Sequence, residues 1–336
     1  MRATRRSAVL EAVALLAVLV PALVAACARL TPPPSPDSAA TPSPAASPTA
    51  SSGPTLAPSP SASASAPRYP VLLIRADEAD GLRWFATDPG DPTRRHPLAV
   101  PAGVTDLGPA AADGSVALTS PSLLVIAVLR GGALVATRTV DLGRLGLGPA
   151  SPACRGPEGS VTIADEATLA LTVIPAAGSA IAIDVPDALG ECAWLPDGRL
   201  LAVREDDRLV VADPRTGRAR AVGGGSGRHP TTGGGLLALV DRSGPTRVVL
   251  RAAGLGGPSG ITLGPADFVI DPGPDELITR AELTPDGTWL AVDVTLDPEG
   301  SAARRLRLYR LGAGGAILAT EVPLGSGEQV IVMPAS

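Results

Sequence analysis

Two stretches of the chain repeat one another: Trp194-Leu-Pro-Asp-Gly-Arg-Leu-Leu-Ala-Val203 and Leu283-Thr-Pro-Asp-Gly-Thr-Trp-Leu-Ala-Val292. Each reads as a strand end, a Pro-Asp-Gly turn and an apolar strand. Pro presets φ at the second turn position, and Gly takes the left-handed position from which the next strand restarts. Looser copies fit the same frame at Ala112-Asp-Gly-Ser-Val-Ala-Leu118, Pro157-Glu-Gly-Ser-Val-Thr-Ile163 and Gly233-Gly-Gly-Leu-Leu-Ala-Leu239. The turn glycines are then Gly114, Gly159, Gly198, Gly234 and Gly287, at intervals of 45, 39, 36 and 53 residues.

A further apolar run follows each copy, and one precedes the first: Leu82–Thr87, Leu123–Leu129, Leu169–Ile174, Leu209–Asp213, Val248–Ala252 and Leu306–Leu311. Each leads into a Gly- or Pro-bearing turn, of which Asp213-Pro-Arg-Thr-Gly217 is the clearest. The repeat is therefore four strands in about 36–59 residues, the size of a β-propeller blade. Composition agrees. The 336 residues include 38 Gly and 36 Pro, and aromatics are only 2%. Such a chain disfavours long helices and must build its core from Ala, Val, Leu and Ile.

The expected fold is all-β, a propeller of six blades over residues 68–336. Val71–Arg75 reads as the second strand of a first blade that lacks its innermost one. The final run Glu328-Gln-Val-Ile-Val-Met333 has no blade of its own, and is expected to supply that strand and close the ring, leaving no free edge there. Asp267–Asp271 leaves a seven-bladed alternative. The Pro-Asp-Gly copies resemble TolB-type, WD40-like propeller repeats, whose signature is an apolar or aromatic residue before Ser/Thr-Pro-Asp-Gly. Only two copies carry Pro-Asp-Gly itself.

The N-terminus carries a different message. Arg2, Arg5 and Arg6 precede an apolar stretch, Ala12–Ala26, that ends at Cys27. This is the layout of a secretory signal, and Val24-Ala-Ala-Cys27 resembles the lipobox of bacterial lipoproteins. The resemblance implies a signal peptide over 1–26, lipidation of Cys27 with acyl (palmitate-type) chains, and a protein anchored to the cell membrane on its extracytoplasmic side. A plain secreted protein is the alternative. Thr4-Arg5-Arg6-Ser7 weakly resembles a twin-arginine signal, so the export route stays open. Residues 27–67 hold the lipidated Cys and a spacer. From Thr31 to Pro67 there are eleven prolines and one charge, Asp37. A segment of this kind has no apolar face to bury. Extended as polyproline II it would reach about 115 Å. Its Ser and Thr residues permit O-glycosylation.

The net charge is −5, and every basic residue is Arg. That excludes a general nucleic-acid binder. Cys154 and Cys192 lie 38 residues apart, one repeat, at the innermost strands of consecutive blades. In an oxidising compartment they are expected to form a disulfide; buried free thiols are the alternative. His96 and His229 have no metal-ligand spacing, and each precedes Pro, which suggests loops. No catalytic signature is present. Trp84, Trp194 and Trp289 read as packing between blades.

Loops between second and third strands share one face of a propeller. Here they carry Asp77, Glu78, Asp80, Asp165, Glu166, Glu205, Asp206, Asp207, Asp241, Asp293, Asp297 and Glu299, flanked by Arg75, Arg204, Arg208, Arg242 and Arg304. This pattern suggests an acidic rim that engages a basic partner, or a divalent cation through carboxylate oxygens. Asp is also common in solvated turns. The expected function is a monomeric, non-enzymatic binding or scaffolding module for a protein, peptide or glycan, without a cofactor. The alternative is an extracytoplasmic hydrolase or lyase with its site in the channel.

Overall fold

The computed structural model describes residues 69–257, 261–296 and 303–334. The expected signal peptide, Cys27 and the spacer lie outside these residues, as do Asp297 and Glu299. The first sheet contains β1 (Val71–Glu78), β2 (Gly81–Thr87) and β3 (Arg95–Pro97). The second is β4 (Asp106–Ala110), β5 (Ser115–Thr119), β6 (Leu123–Arg130) and β7 (Ala133–Asp141). The third is β8 (Ala150–Arg155), β9 (Val161–Asp165), β10 (Leu171–Ile174) and β11 (Ile181–Ile183). The fourth begins with β12 (Ala188–Trp194), β13 (Leu200–Arg204), β14 (Arg208–Ala212) and β15 (Ala219–Ser226). The fifth runs β16 (Arg228–Gly233), β17 (Leu236–Asp241) and β18 (Arg247–Ala252). A short hairpin, β19 (Leu255–Gly256) and β20 (Thr262–Leu263), interrupts it before β21 (Phe268–Ile270). The sixth is β22 (Leu277–Leu283), β23 (Trp289–Thr295), β24 (Arg304–Gly312) and β25 (Gly315–Leu324), followed by β26 (Gln329–Met333).

The chain folds as an all-β propeller. Five sheets have four strands. The fourth sheet has six, because β20 forms a parallel bridge to the outer strand β15 at Gly223 and Thr262. Of the six four-stranded blades expected, five appear as four-stranded sheets, and the fourth sheet departs from that pattern. Asp267–Asp271 starts no extra blade: β21 is the outer strand of the fifth sheet, paired with β18 from Val248 to Leu250.

The last strand closes the ring. β26 pairs antiparallel with β1, from Val71 opposite Met333 to Arg75 opposite Gln329. Leu72, Leu73 and Ile74 are fully buried, and Val330 to Met333 are buried too.

The Asp-Gly turns explain the repeat. Asp197 accepts the Arg199 N–H at 3.0 Å, and the Gly198 N–H reaches the Leu195 carbonyl at 3.0 Å. Gly198 has φ +81°. Asp286 accepts the Thr288 N–H at 3.1 Å with Gly287 at φ +69°. The loose copy at Asp113-Gly114 does the same through Ser115, at 2.9 Å. The copy in the fifth sheet, Gly233-Gly-Gly, has no Asp and is held by proximity instead. A Cβ on Gly233 would lie 1.9 Å from the Thr284 carbonyl oxygen, so its turn packs directly on that of the sixth sheet.

The core lies between sheets rather than within one. Each neighbouring pair encloses one apolar cluster, and the six clusters follow one another around the ring. Trp84, Trp194 and Trp289 sit in three of these clusters, as expected from their positions. The Trp194 indole N–H donates to Thr162 across the third and fourth sheets at 3.0 Å.

Candidate functional site

Six innermost strands face the axis: β26, β4, β8, β12, β16 and β22. Five of them carry a register shift against the second strand: between Leu107 and Ala110, Pro152 and Cys154, Ala188 and Cys192, Arg228 and Thr231, and Ile278 and Arg280. Bulges re-aim side chains and leave residues out of the ladder. Prolines suit such positions because they have no N–H to contribute; Pro109, Pro152 and Pro230 occupy them. The five bulged strands line a cavity of about 240 Å³, with Arg155, Glu191, Trp194, His229, Arg280 and Glu282 in its wall.

Cys154 and Cys192 are joined by a disulfide with Cα atoms 5.8 Å apart. It links β8 to β12 at the cavity wall. His229 is not in a loop. It lies on β16, with φ +48°, and His96 lies on the outer strand β3. The Pro after His229 marks a bulge rather than a strand break, and that made the residue look like part of a loop.

Two pairings join acidic and basic groups of the channel, Glu191 with His229 and Arg228, and Glu282 with Arg280. Glu191 accepts the His229 backbone N–H at 2.6 Å, and its carboxylate lies 3.5 Å from His229 Nδ1 and 3.9 Å from Arg228. Burial raises the Glu191 carboxyl above its usual range, against the pull of the His229 N–H and Arg228. Burial, then Arg280, Arg242 and Arg228, push His229 down to about 4. Glu282 bonds to Arg280 at 3.3 Å and is also raised by burial.

The rim is not a ring of free carboxylates. Asp77 pairs with Arg75 at 3.2 Å, and Arg75 also bonds to Gln329 of the closing strand at 2.8 Å. Glu78 pairs with Arg83 at 3.0 Å, and Asp80 pairs with the same arginine. Asp165 closes its own turn, accepting the Thr168 N–H at 2.7 Å. Asp206 pairs with Arg208 at 3.4 Å, and Asp207 pairs with Arg228. Asp241 pairs with Arg247 at 2.9 Å. Asp293 belongs to no loop: it lies inside β23, 8% exposed, and pairs with Arg304. β23 continues through Thr295, three residues further than the loop reading allowed, so Asp293 faces the closing seam. Glu166 and Glu205 are exposed and make no ion pair among the described residues. Among those residues no three His, Cys, Asp or Glu side chains converge as a metal site. The carboxylates are instead spread over separate blades.

No family model matches the chain, and no curated protein does either. Several solved structures resemble it at low sequence identity. A TolB candidate from Agrobacterium tumefaciens is 14% identical, with 79% of this chain and 99% of that one covered and a TM-score of 0.47. The β-propeller domain of Cps50 (Swd1) from Myceliophteria thermophila is 14% identical, covering 77% and 85%, with a TM-score of 0.47. A 6-phosphogluconolactonase candidate from Bacteroides uniformis is 16% identical, covering 77% and 84%, with a TM-score of 0.46.

Proposed function

We propose that this chain is a lipid-anchored, extracytoplasmic binding module, a six-bladed propeller that presents its second-to-third-strand loops and channel mouth to a protein, peptide or glycan. The lipobox-like Val24-Ala-Ala-Cys27 supports the anchor. The observation that carries the non-enzymatic reading is the state of the channel groups. His229 is held near 4 and faces a carboxyl that is already bonded. A base is most effective when its pKa lies near the working pH, so at neutral pH His229 is a weak one. A closed ring whose rim carboxylates are largely paired or turn-bound is a pre-formed surface, which lowers the ordering cost of binding.

Proximity crosslinking on the full chain in its own cells tests this reading. The informative variant is Glu205→Arg with Asp206→Arg, which leaves the Asp207–Arg228 pair intact. Loss of one recurring partner is the expected result. Capture that is unaffected by the variant would remove this face from the reading. Cys27→Ser is expected to release the protein from the membrane fraction.

A further inference from the structure

The unused hydrogen-bonding capacity of the channel is cationic. Each arginine offers five N–H donors. The Arg155 Nη2 group donates to Ser115 at 2.8 Å, but its Nε and Nη1 are buried without a partner among the described residues. Asp113, the nearest compensating carboxylate, is already bonded to the Ser115 N–H and hydroxyl at 2.9 and 2.6 Å, and Arg138 acts on Arg155 in the opposite sense. Arg280 makes one bond, to Glu282 at 3.3 Å, and 41% of its side chain remains accessible. β8 and β22 belong to the third and sixth sheets, which sit opposite each other in the ring. The acceptors have little left to offer. Glu191 is committed to the His229 N–H, and Glu282 is buried. Burial favours the neutral form of both carboxyls, leaving the arginines less compensated. Between the charges the wall is apolar: Trp194, the disulfide, and the prolines of the bulges.

We propose that this cavity binds a small ligand with an apolar body and a carboxylate or phosphate group, its oxyanion held by Arg280 and drawn in by the uncompensated charge of Arg155. A low-dielectric wall strengthens such a contact relative to water. The cavity, about 240 Å³, lies below the roughly 300–1,000 Å³ of drug-sized pockets, so the ligand is small. This site draws on none of the second-to-third-strand loop residues, so its failure would leave the loop-face reading standing.

Isothermal titration calorimetry of the full chain tests the assignment, with inorganic phosphate and malonate as separate probes and chloride at matched ionic strength as the reference. Saturable binding of one probe, at one site per chain, is expected. Phosphate alone would identify a phosphoryl ligand, and malonate alone a carboxylate. Arg280→Gln should weaken binding by about tenfold or more, and Arg280→Lys should recover part of it. Arg215→Gln, outside the cavity and the loop face, should leave it unchanged. Should Arg280→Gln fail to fold, the wild-type melting temperature decides: it should rise with phosphate or malonate and not with chloride. Saturation by neither probe, a melting temperature indifferent to both, or an Arg280→Gln variant that binds like wild type would overturn the proposal.

Discussion

The ring is fastened in two places by two kinds of bond. At the first sheet, β26 adds a whole strand to β1, and the fastening is a ladder of five residue pairs backed by four buried side chains. At the seam between the third and fourth sheets, the fastening is the single covalent link from Cys154 to Cys192. The ladder completes a sheet, so without it β1 would present an open apolar edge. The disulfide completes nothing, because both of its strands are already paired in their own sheets. Its effect comes largely through restricting the unfolded chain. The difference teaches that one fastening decides whether the ring exists, and the other decides how far it lies from unfolding.

Truncation after Glu328 should break the comparison most severely. Burying an aliphatic side chain contributes about 1.5–3 kcal/mol, and four are lost with β26. That is comparable with the whole stability of a typical domain. Loss of a cooperative thermal transition by circular dichroism is the expected result; a cooperative melt near the wild-type temperature would show that the ladder is dispensable. Arg304→Gln tests the same seam from one side chain. Arg304 pairs with buried Asp293 and donates to the Glu328 carbonyl at 2.8 Å. Leaving a buried carboxylate unpaired costs roughly 3–5 kcal/mol, to be read from urea unfolding midpoints.

Cys192→Ser should cost less, about 2–4 kcal/mol for a loop of this length, with the ring still formed and cooperative. Beside that seam, His229 gives a pH-dependent test. It stays neutral in the fold down to about 4, whereas the unfolded chain takes up the proton near 6.5. The unfolded state therefore binds more protons between those values, and stability falls as pH drops through this window. His229→Gln should recover up to about 2 kcal/mol at pH 5 and nothing at pH 7.5, measured by denaturant unfolding at both. The smallest effect belongs to the rim. Glu205→Arg with Asp206→Arg lies far from both fastenings and should shift stability by less than about 0.5 kcal/mol, which keeps any change in capture attributable to the surface.

What could be read from the sequence follows from which signals are local. Pro-Asp-Gly turns, the orphan strand at the C-terminus and two cysteines one repeat apart each carry their meaning within a few residues, and the structure places all three as read. The channel site was hidden because bulges depend on register with a second strand. Gly108-Pro109, Ser151-Pro152 and His229-Pro230 share one pattern, an X-Pro pair four to seven residues before a turn glycine. Only pairing turns that pattern into a wall of inward side chains. The β19–β20 hairpin was illegible for a similar reason: its partner, Gly223, lies in the preceding blade. The rim failed where a strand ran on. Asp293 looked like the start of a polar loop, and only the pairing of β23 with β24 through Thr295 places it inside.

The closing strand also sets an order of events. The Arg75–Gln329 bond joins residues 254 apart in the chain, so the first strand, though paired at once with β2, is the last to find its second neighbour. Contacts of such long sequence separation form slowly. Until they form, Leu72, Leu73 and Ile74 stand on an unpaired edge that is open to other chains. As the chain is made, its middle blades can stack early and its first must wait. The period before closure is the interval in which this protein is most exposed to aggregation.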